Sequence, residues 1–421
     1  MIRDDIHFVF VINQSFHWFI IGLFFPILIL VQLDKGLNLL EVGVTAAIYS
    51  ATVILLELPT GGLSDSIGRK RVYLISVVVQ IISYLLILIS WNFITMAFAF
   101  LAFGVARALS SGSMDAWFVD EFNRAHPEGN LQKSLAKVGV FIPLGLAAAS
   151  IIGGVMPMIV GPWFEQIPGF NIYSGNLVLM VLLAIIQFFL TSALVFEHGE
   201  FIGKASDGFK KLPEILSTSI MYGARNPVIK ILLMATVAAG FGFAGLELLW
   251  QPRVEELIGV DSQTWIYGVL AAGYFLMGSL GNAISASLSE KMKGRLALSL
   301  VGMRGMMGLL MLALALQGDI LGFAFFYLVT FAFNGLSSSP HSAIFNSQVP
   351  AAKRSTLLSF ESLILQVGFM TGSLAMGVIS NSVSISAALM VSAMILTGSC
   401  VLYLILSGWE KKGNWSAETR V

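Results

Sequence analysis

Glu57, Arg107, Asp115, Glu247 and Arg304 stand inside or at the edges of long apolar runs, where an isolated charge costs roughly 3 kcal/mol or more. Groups kept at that cost are the first candidates for function. A carboxylate in a low-dielectric setting can load and unload a proton near neutral pH. Asp115 follows Arg107 by eight residues, about 12 Å along a straight helix and within about 80° around it, and Glu57 sits at a similar depth in another run. Two acids and a cation so placed can move a proton or hold a cationic substrate. The competing reading is structural: Glu57 as a helix-end acid, Asp115 satisfied by Ser110, Ser111 and Ser113, and Arg107 satisfied by carbonyls and a fixed carboxylate. Glu247, beside Trp250, either takes a cation or proton or is an interfacial acid, with the interfacial role favoured. Arg304 can snorkel to the membrane edge. Asn13, Gln14, His17, Asn334 and His341 are polar groups for a cavity or for bonds across helices. Neither His17 nor His341 has the spacing of a metal site, and no metal is expected.

The elements that must position these residues are membrane helices. Charged residues make up 11% of the 421 and apolar ones 57%, against about 25% charged in a soluble domain. A span needs about 20 apolar residues. Twelve runs qualify, at roughly 8–33, 39–61, 72–90, 93–118, 134–160, 176–196, 230–251, 265–288, 296–316, 320–344, 359–381 and 384–407. The fifth is interrupted by Pro143 and Pro157. With both termini cytoplasmic, every one of the 24 Lys and Arg residues falls on the cytoplasmic side except Lys35, Arg253 and the intraspan Arg107 and Arg304, as the positive-inside rule requires. The segment 197–229 divides the chain near its middle. Phe209, Leu212, Ile215, Leu216 and Ile220 recur there at helical spacing beside Lys210 and Lys211, which predicts an interfacial amphipathic helix or a plain tether. The expected domains are therefore 1–196, the 197–229 linker, and 230–421 with its tail.

Between the second and third runs lies Glu57–Arg71, ELPTGGLSDSIGRKR. Pro59 and Gly61-Gly62 are expected to end one helix and Gly68 to form a tight turn before the next. Gly61, Leu63, Asp65, Gly68, Arg69 and Lys70 resemble the signature of the major facilitator superfamily, G-x-L-x-D-x-x-G-R-K/R. The turn SLSEKMKGR after the eighth run is similar to a degenerate second copy, with Glu290 near the place of Asp65. The resemblance implies an all-α membrane protein of twelve transmembrane helices in two pseudo-symmetric six-helix bundles, with a substrate path between them. It implies that Asp65, Gly68, Arg69, Lys70 and Asp120 form a cytoplasmic gating cluster, and that Arg107 is the cation that couples to proton movement, although Gly112 comes one residue later than the family pattern. Glu57-x-Pro59 ahead of the signature resembles a tetracycline-exporting branch. Gly139, Pro143, Gly145 and Gly153-Gly154 resemble in part the fifth-span motif of drug:proton antiporters, without its Gly-Pro pair or register.

These features predict a secondary active transporter working by alternating access. Its first reading is proton-coupled efflux of small amphipathic or cationic compounds. The other reading is a symporter or facilitator importing a nutrient. Proton coupling would rest on Glu57, Asp115 and Arg107, and substrate contact on Asn13, His17, Glu247 and Asn334. No cofactor is expected beyond the proton gradient. The expected partners are the substrate, protons and the bilayer; zero net charge gives no hint of nucleic acid, and the family resemblance implies a monomer. The only cysteine, Cys400, excludes an intrachain disulfide. No phosphate-binding loop, nucleophile elbow or metal cluster points to an enzyme or an ATP-driven pump. The expected location is a prokaryotic plasma membrane.

Overall fold

A computed structural model describes residues 5–126, 131–198, 217, 221–223, 225–259, 263–292, 295–350 and 353–411. No strand occurs among them. Among the described residues, twelve helical segments are long and apolar enough to cross a membrane: Ile6–Ile27, Leu39–Glu57, Arg69–Ile89, Phe93–Ala125, Phe141–Phe164, Ser174–Leu194, Pro227–Ile258, Trp265–Lys291, Leu296–Ala315, Ile320–Gln348, Thr356–Ser382 and Ile385–Glu410. They are called spans 1 to 12 below. Phe209, Leu212, Ile215, Leu216 and Ile220, which predict the linker helix, lie outside the described residues, as does the tail after Lys411.

The chain forms two compact units, Met1–Leu212 with Asp261–Gly273, and Pro213–Val260 with Tyr274–Val421. In the first, span 1 packs on spans 5 and 6, and span 4 packs on spans 2 and 3. In the second, span 7 packs on spans 11 and 12, and span 9 on spans 10 and 12. Many large apolar side chains stay exposed, among them Trp91, Trp163, Ile94, Phe98, Phe189 and Leu321. A surface this apolar suits a lipid solvent.

Three local expectations are corrected. Pro59 and Gly61-Gly62 do not end a helix: it runs from Leu39 to Ile67 with Pro59 inside and stops at Gly68. Gly68, at φ 104°, closes that helix and opens the next at Arg69, a conformation glycine adopts without penalty. The fifth run is one helix, Leu131–Phe164, that carries Pro143, Pro157 and Pro162 internally. Conversely, the fourth span is broken. One helix ends at Ser110, Gly112 takes φ 72°, and a second helix begins at Ser113. The straight-helix relation of Arg107 to Asp115 therefore does not hold.

Each half repeats the same end chemistry. Asn92 caps span 4 and Asp319 caps span 10, each accepting a backbone N–H three residues on. Asn38 and Glu41 form a capping box on span 2, and Asn226 caps span 7.

Candidate functional site

In the first unit, polar groups of spans 1 to 4 and 6 bond across helices within the apolar bundle. Glu57, half-buried near the signature turn, accepts a 3.1 Å hydrogen bond at Oε1 from Ser111 Oγ. Its Oε2 is buried with no hydrogen-bond partner among the described residues. One turn on, Thr60 Oγ1 donates to Ala108 O at 2.8 Å and fixes span 2 against span 4. Asp115 lies beyond the Gly112 break and accepts from Gln14 Nε2 at 3.1 Å. The serines expected to serve Asp115 go elsewhere: Ser110 to Arg107 O, Ser113 to Leu109 O and Ser111 to Glu57. Glu57 and Asp115 thus have separate partners, and no hydrogen bond joins them among the described residues. Arg107 occupies the last turn before the break, its guanidinium 6.0 Å from the Trp18 ring centre.

Asn13 and His17 are both buried. Asn13 Nδ2 donates to Thr191 Oγ1 at 2.6 Å, tying span 1 to span 6. Gln187, also on span 6, donates to Tyr73 OH at 2.7 Å. His17 packs between Trp18 and Tyr73, with ring centres 5.7 and 5.9 Å away, and its Nδ1 has no hydrogen-bond partner among the described residues.

The signature residues do converge. Arg69 Nε donates to Asp120 Oδ2 at 2.7 Å, and Arg69 Nη2 lies 3.3 Å from Asp65 Oδ1. The Asp65 and Asp120 side chains are 68% and 59% exposed, which places these pairs at the weak, screened end, about 1 kcal/mol or less each. Lys70 Nζ donates to Ser192 O at 2.9 Å. The sequence reading missed Glu197. Its two carboxylate oxygens accept from the backbone N–H groups of Arg69 and Lys70 at 2.6 and 3.2 Å. A carboxylate on a helix N-terminus answers both the free N–H groups and the helix dipole.

In the second unit, Glu247 lies eleven residues short of the end of the helix Pro227–Ile258, about 16 Å by the helical rise, and accepts from Tyr274 OH at 3.2 Å. Around it is an aromatic wall. The Tyr274 and Phe331 ring centres are 4.0 Å apart, Tyr327 and Phe331 5.0 Å, Trp250 and Tyr327 5.5 Å, and Phe243 and Phe331 6.0 Å. Asn334 is half-buried on the same helix as Tyr327 and Phe331. Ring faces carry negative charge density, so a carboxylate beside them makes a place for an organic cation.

Arg253, outside the expected cytoplasmic set, donates to Gln317 O at the end of span 9 at 2.6 Å. Lys35, the other exception, donates to Leu88 O and Ser90 O at the end of span 3, both at 2.9 Å. Both cations satisfy carbonyls that a helix C-terminus leaves free.

Similarity to known proteins agrees with this architecture. The model of the Major Facilitator Superfamily matches residues 10–340. An uncharacterized MFS-type transporter, YxaM of Bacillus subtilis (strain 168), is 22% identical over 395 residues, which cover 91% of this chain and 92% of that one. Among solved structures, the nucleoside transporter NupG superposes with a TM-score of 0.75 at 11% identity, over 97% of this chain and 99% of that one. A bacterial homolog of the human lysosomal transporter Spinster, inward-facing and unoccupied, gives 0.67 at 13% identity, over 97% and 96%. With the family model spanning most of its length, this chain belongs to the major facilitator superfamily, a family of transporters and not of enzymes.

Proposed function

We propose that the protein is a proton-coupled exporter of small amphipathic or cationic organic compounds, working by alternating access. The observation that carries this reading is Glu57: one oxygen accepts from Ser111 while the other is buried with no partner among the described residues. A carboxyl so placed has room for a proton at Oε2 and a donor to stabilise the anion at Oε1. Asp115 with Gln14 is a second acid in the same unit, and Arg107 is its fixed cation. Glu247, with Tyr274 and the neighbouring rings, offers the recognition an amphipathic cation needs. His17 and Asn334 are the further substrate contacts in this reading, whereas Asn13 serves mainly to hold span 1 to span 6. The gating cluster is Asp65, Gly68, Arg69, Lys70 and Asp120. The proton gradient supplies the energy and no cofactor takes part. The protein acts as a monomer in a prokaryotic plasma membrane with both termini in the cytoplasm.

The test is proton movement in proteoliposomes carrying a pH-sensitive dye, screened against cationic and lipophilic drugs. Drug-dependent proton release that is lost in Glu57→Gln supports the reading; retention of drug-driven proton flux in that variant sinks the role of Glu57. A second reading, a symporter or facilitator importing a nutrient, is favoured by the departure of the fifth span from the antiporter pattern. The likeness of the fold to a nucleoside transporter makes nucleosides its first substrates to try. Nucleoside counterflow without any proton gradient, with no drug response, would replace the first reading by the second.

A further inference from the structure

Spans 7 and 11 touch backbone to backbone at one level. A Cβ on Gly240 would collide with Leu365 O, and one on Gly368 with Val237 O, so the approach needs glycine at both positions. Nearer the helix starts, at Pro227 and Arg354, the side chains are larger and leave a groove of about 300 Å³. Leu233, Met234 and Val237 line it from span 7, and Phe360 and Ile364 from span 11. Lys230 is the one charged residue of the lining. Lys230, Leu233, Met234 and Val237 follow the spacing of a single helix face, about 10 Å long. The glycine contact thus closes one end of the groove and Lys230 marks the other. One side is open, since Met234 is 50% exposed. The Lys230 ammonium has no hydrogen bond or ion pair among the described residues. Arg225, Lys353 and Arg354 are exposed at the same helix starts. Tyr222 holds this corner together: its OH donates to Gln348 O at 3.2 Å, and Lys353 Nζ lies 5.4 Å from its ring centre. The acids of spans 11 and 12 are engaged elsewhere. Glu361 Oε1 is 2.7 Å from His341 Nε2, and Glu410 accepts from the N–H groups of Leu296 and Ala297.

We propose that this groove holds one anionic phospholipid, with an acyl chain between spans 7 and 11 and the phosphate on Lys230. The site belongs to the second unit alone and is independent of the direction of transport and of its substrate. The chemistry of the groove selects its occupant. A peptide segment would bring backbone N–H and C=O groups that this apolar lining cannot satisfy. An organic cation would meet four like charges at the mouth, Arg225, Lys230, Lys353 and Arg354. A zwitterionic lipid would place the same chain in the groove but carry a cation of its own to that cluster. An anionic lipid supplies both the chain and the missing counter-charge, and basic residues beside membrane helices attract such head groups. The four-carbon stem of Lys230 can lie along the apolar stripe while its ammonium reaches the phosphate.

The test is native mass spectrometry of the purified protein in detergent, titrated with phosphatidylglycerol and with phosphatidylcholine of the same acyl chains. The wild type should retain one phosphatidylglycerol in preference to phosphatidylcholine. Lys230→Gln should cut that preference about five-fold, the weight of one basic residue at an anionic head group. Met234→Trp, which fills the groove from its open side, should lose retention of both lipids. Arg71→Gln removes an exposed cation of the other unit and should change neither. Equal losses of preference in Lys230→Gln and Arg71→Gln would overturn the proposal, because the lipid would then follow general surface charge. Unchanged retention in Met234→Trp would overturn it as well, since no chain would lie in the groove. If glycerol phosphate displaces the lipid at similar concentration, the site is one for a free anion and the lipid assignment falls. The unfolding midpoint of each variant is read alongside, and Val237→Phe fills the groove in place of Met234→Trp if that variant does not fold.

Discussion

Glu197 and Glu410 do the same work at equivalent places in the two halves. Glu197 accepts from the N–H groups of Arg69 and Lys70 at the start of span 3. Glu410 accepts from those of Leu296 and Ala297 at the start of span 9, at 2.9 and 3.1 Å. Lys35 and Arg253 close the other ends of the same two helices. Each of these spans is thus held between an anion at its N-terminus and a cation at its C-terminus, the arrangement its macrodipole favours.

Removing either anion should therefore cost stability without touching the residues proposed to carry the proton. Glu197→Gln and Glu410→Gln should each lose about 1–2 kcal/mol, since a charge-assisted bond to two N–H groups becomes a neutral one. The measurement is thermal unfolding in detergent, alone and combined. The two sites lie in different units, so the losses should add. A loss confined to one variant would deny the equivalence.

The Arg69 contacts should behave differently. Asp65 and Asp120 are largely exposed, so Asp120→Asn should change stability by about 1 kcal/mol or less. The same free energy would shift a two-state conformational equilibrium about five-fold. We expect Asp120→Asn to alter transport rate while the unfolding midpoint stays put, and high salt to reproduce part of that effect in the wild type. Equal damage to stability and rate would make the pair a fold element only.

Much of this fold could be read from the apolar runs, because length and hydropathy alone decide what can span a bilayer. Gly68 could be read too, since only a glycine turn fits between two long runs there. The helix through Pro59 could not. Tertiary packing overrides propensity, and Thr60 donating to Ala108 O shows the contact that holds that turn in place. The partner of His341 was hidden for another reason: Glu361 is twenty residues away on a different helix, and no spacing rule links them. The caps did leave a trace. Phe196-Glu197 and Trp409-Glu410 close the sixth and twelfth runs with an aromatic and an acid. The two outlying cations, Lys35 and Arg253, were exceptions to the charge rule that turn out to have the same structural cause.

Ser111 separates the structural role of Glu57 from the proton role proposed for it. Ser111→Ala removes the one side-chain hydrogen bond that Glu57 accepts among the described residues, worth about 1.5–3 kcal/mol to a charged acceptor. The carboxyl itself remains. Proton-coupled flux should survive in Ser111→Ala with its pH profile displaced and its maximal rate within about tenfold of wild type, whereas Glu57→Gln should lose it. Flux measured across a pH series in proteoliposomes decides this. An unchanged profile in Ser111→Ala would mean that the Ser111 bond does not bear on the proton.

Gly112 sets where Asp115 points. At φ 72° it sits in the left-handed region, and no atom lies within 4 Å of where a Cβ would be. Substitution there meets backbone strain and not crowding. Gly112→Ala should cost about 1–2 kcal/mol, and Gly112→Asn less, because asparagine visits this region more readily. If the break is what brings Asp115 to Gln14, relieving the strain by straightening the helix would swing Asp115 away from its 3.1 Å partner. Gly112→Ala should then lose more transport than its stability loss accounts for, and Gln14→Ala in that background should have little further effect. The double-mutant cycle on transport rate measures this directly. Full additivity of Gly112→Ala and Gln14→Ala would show that the break and the Gln14–Asp115 bond are unconnected.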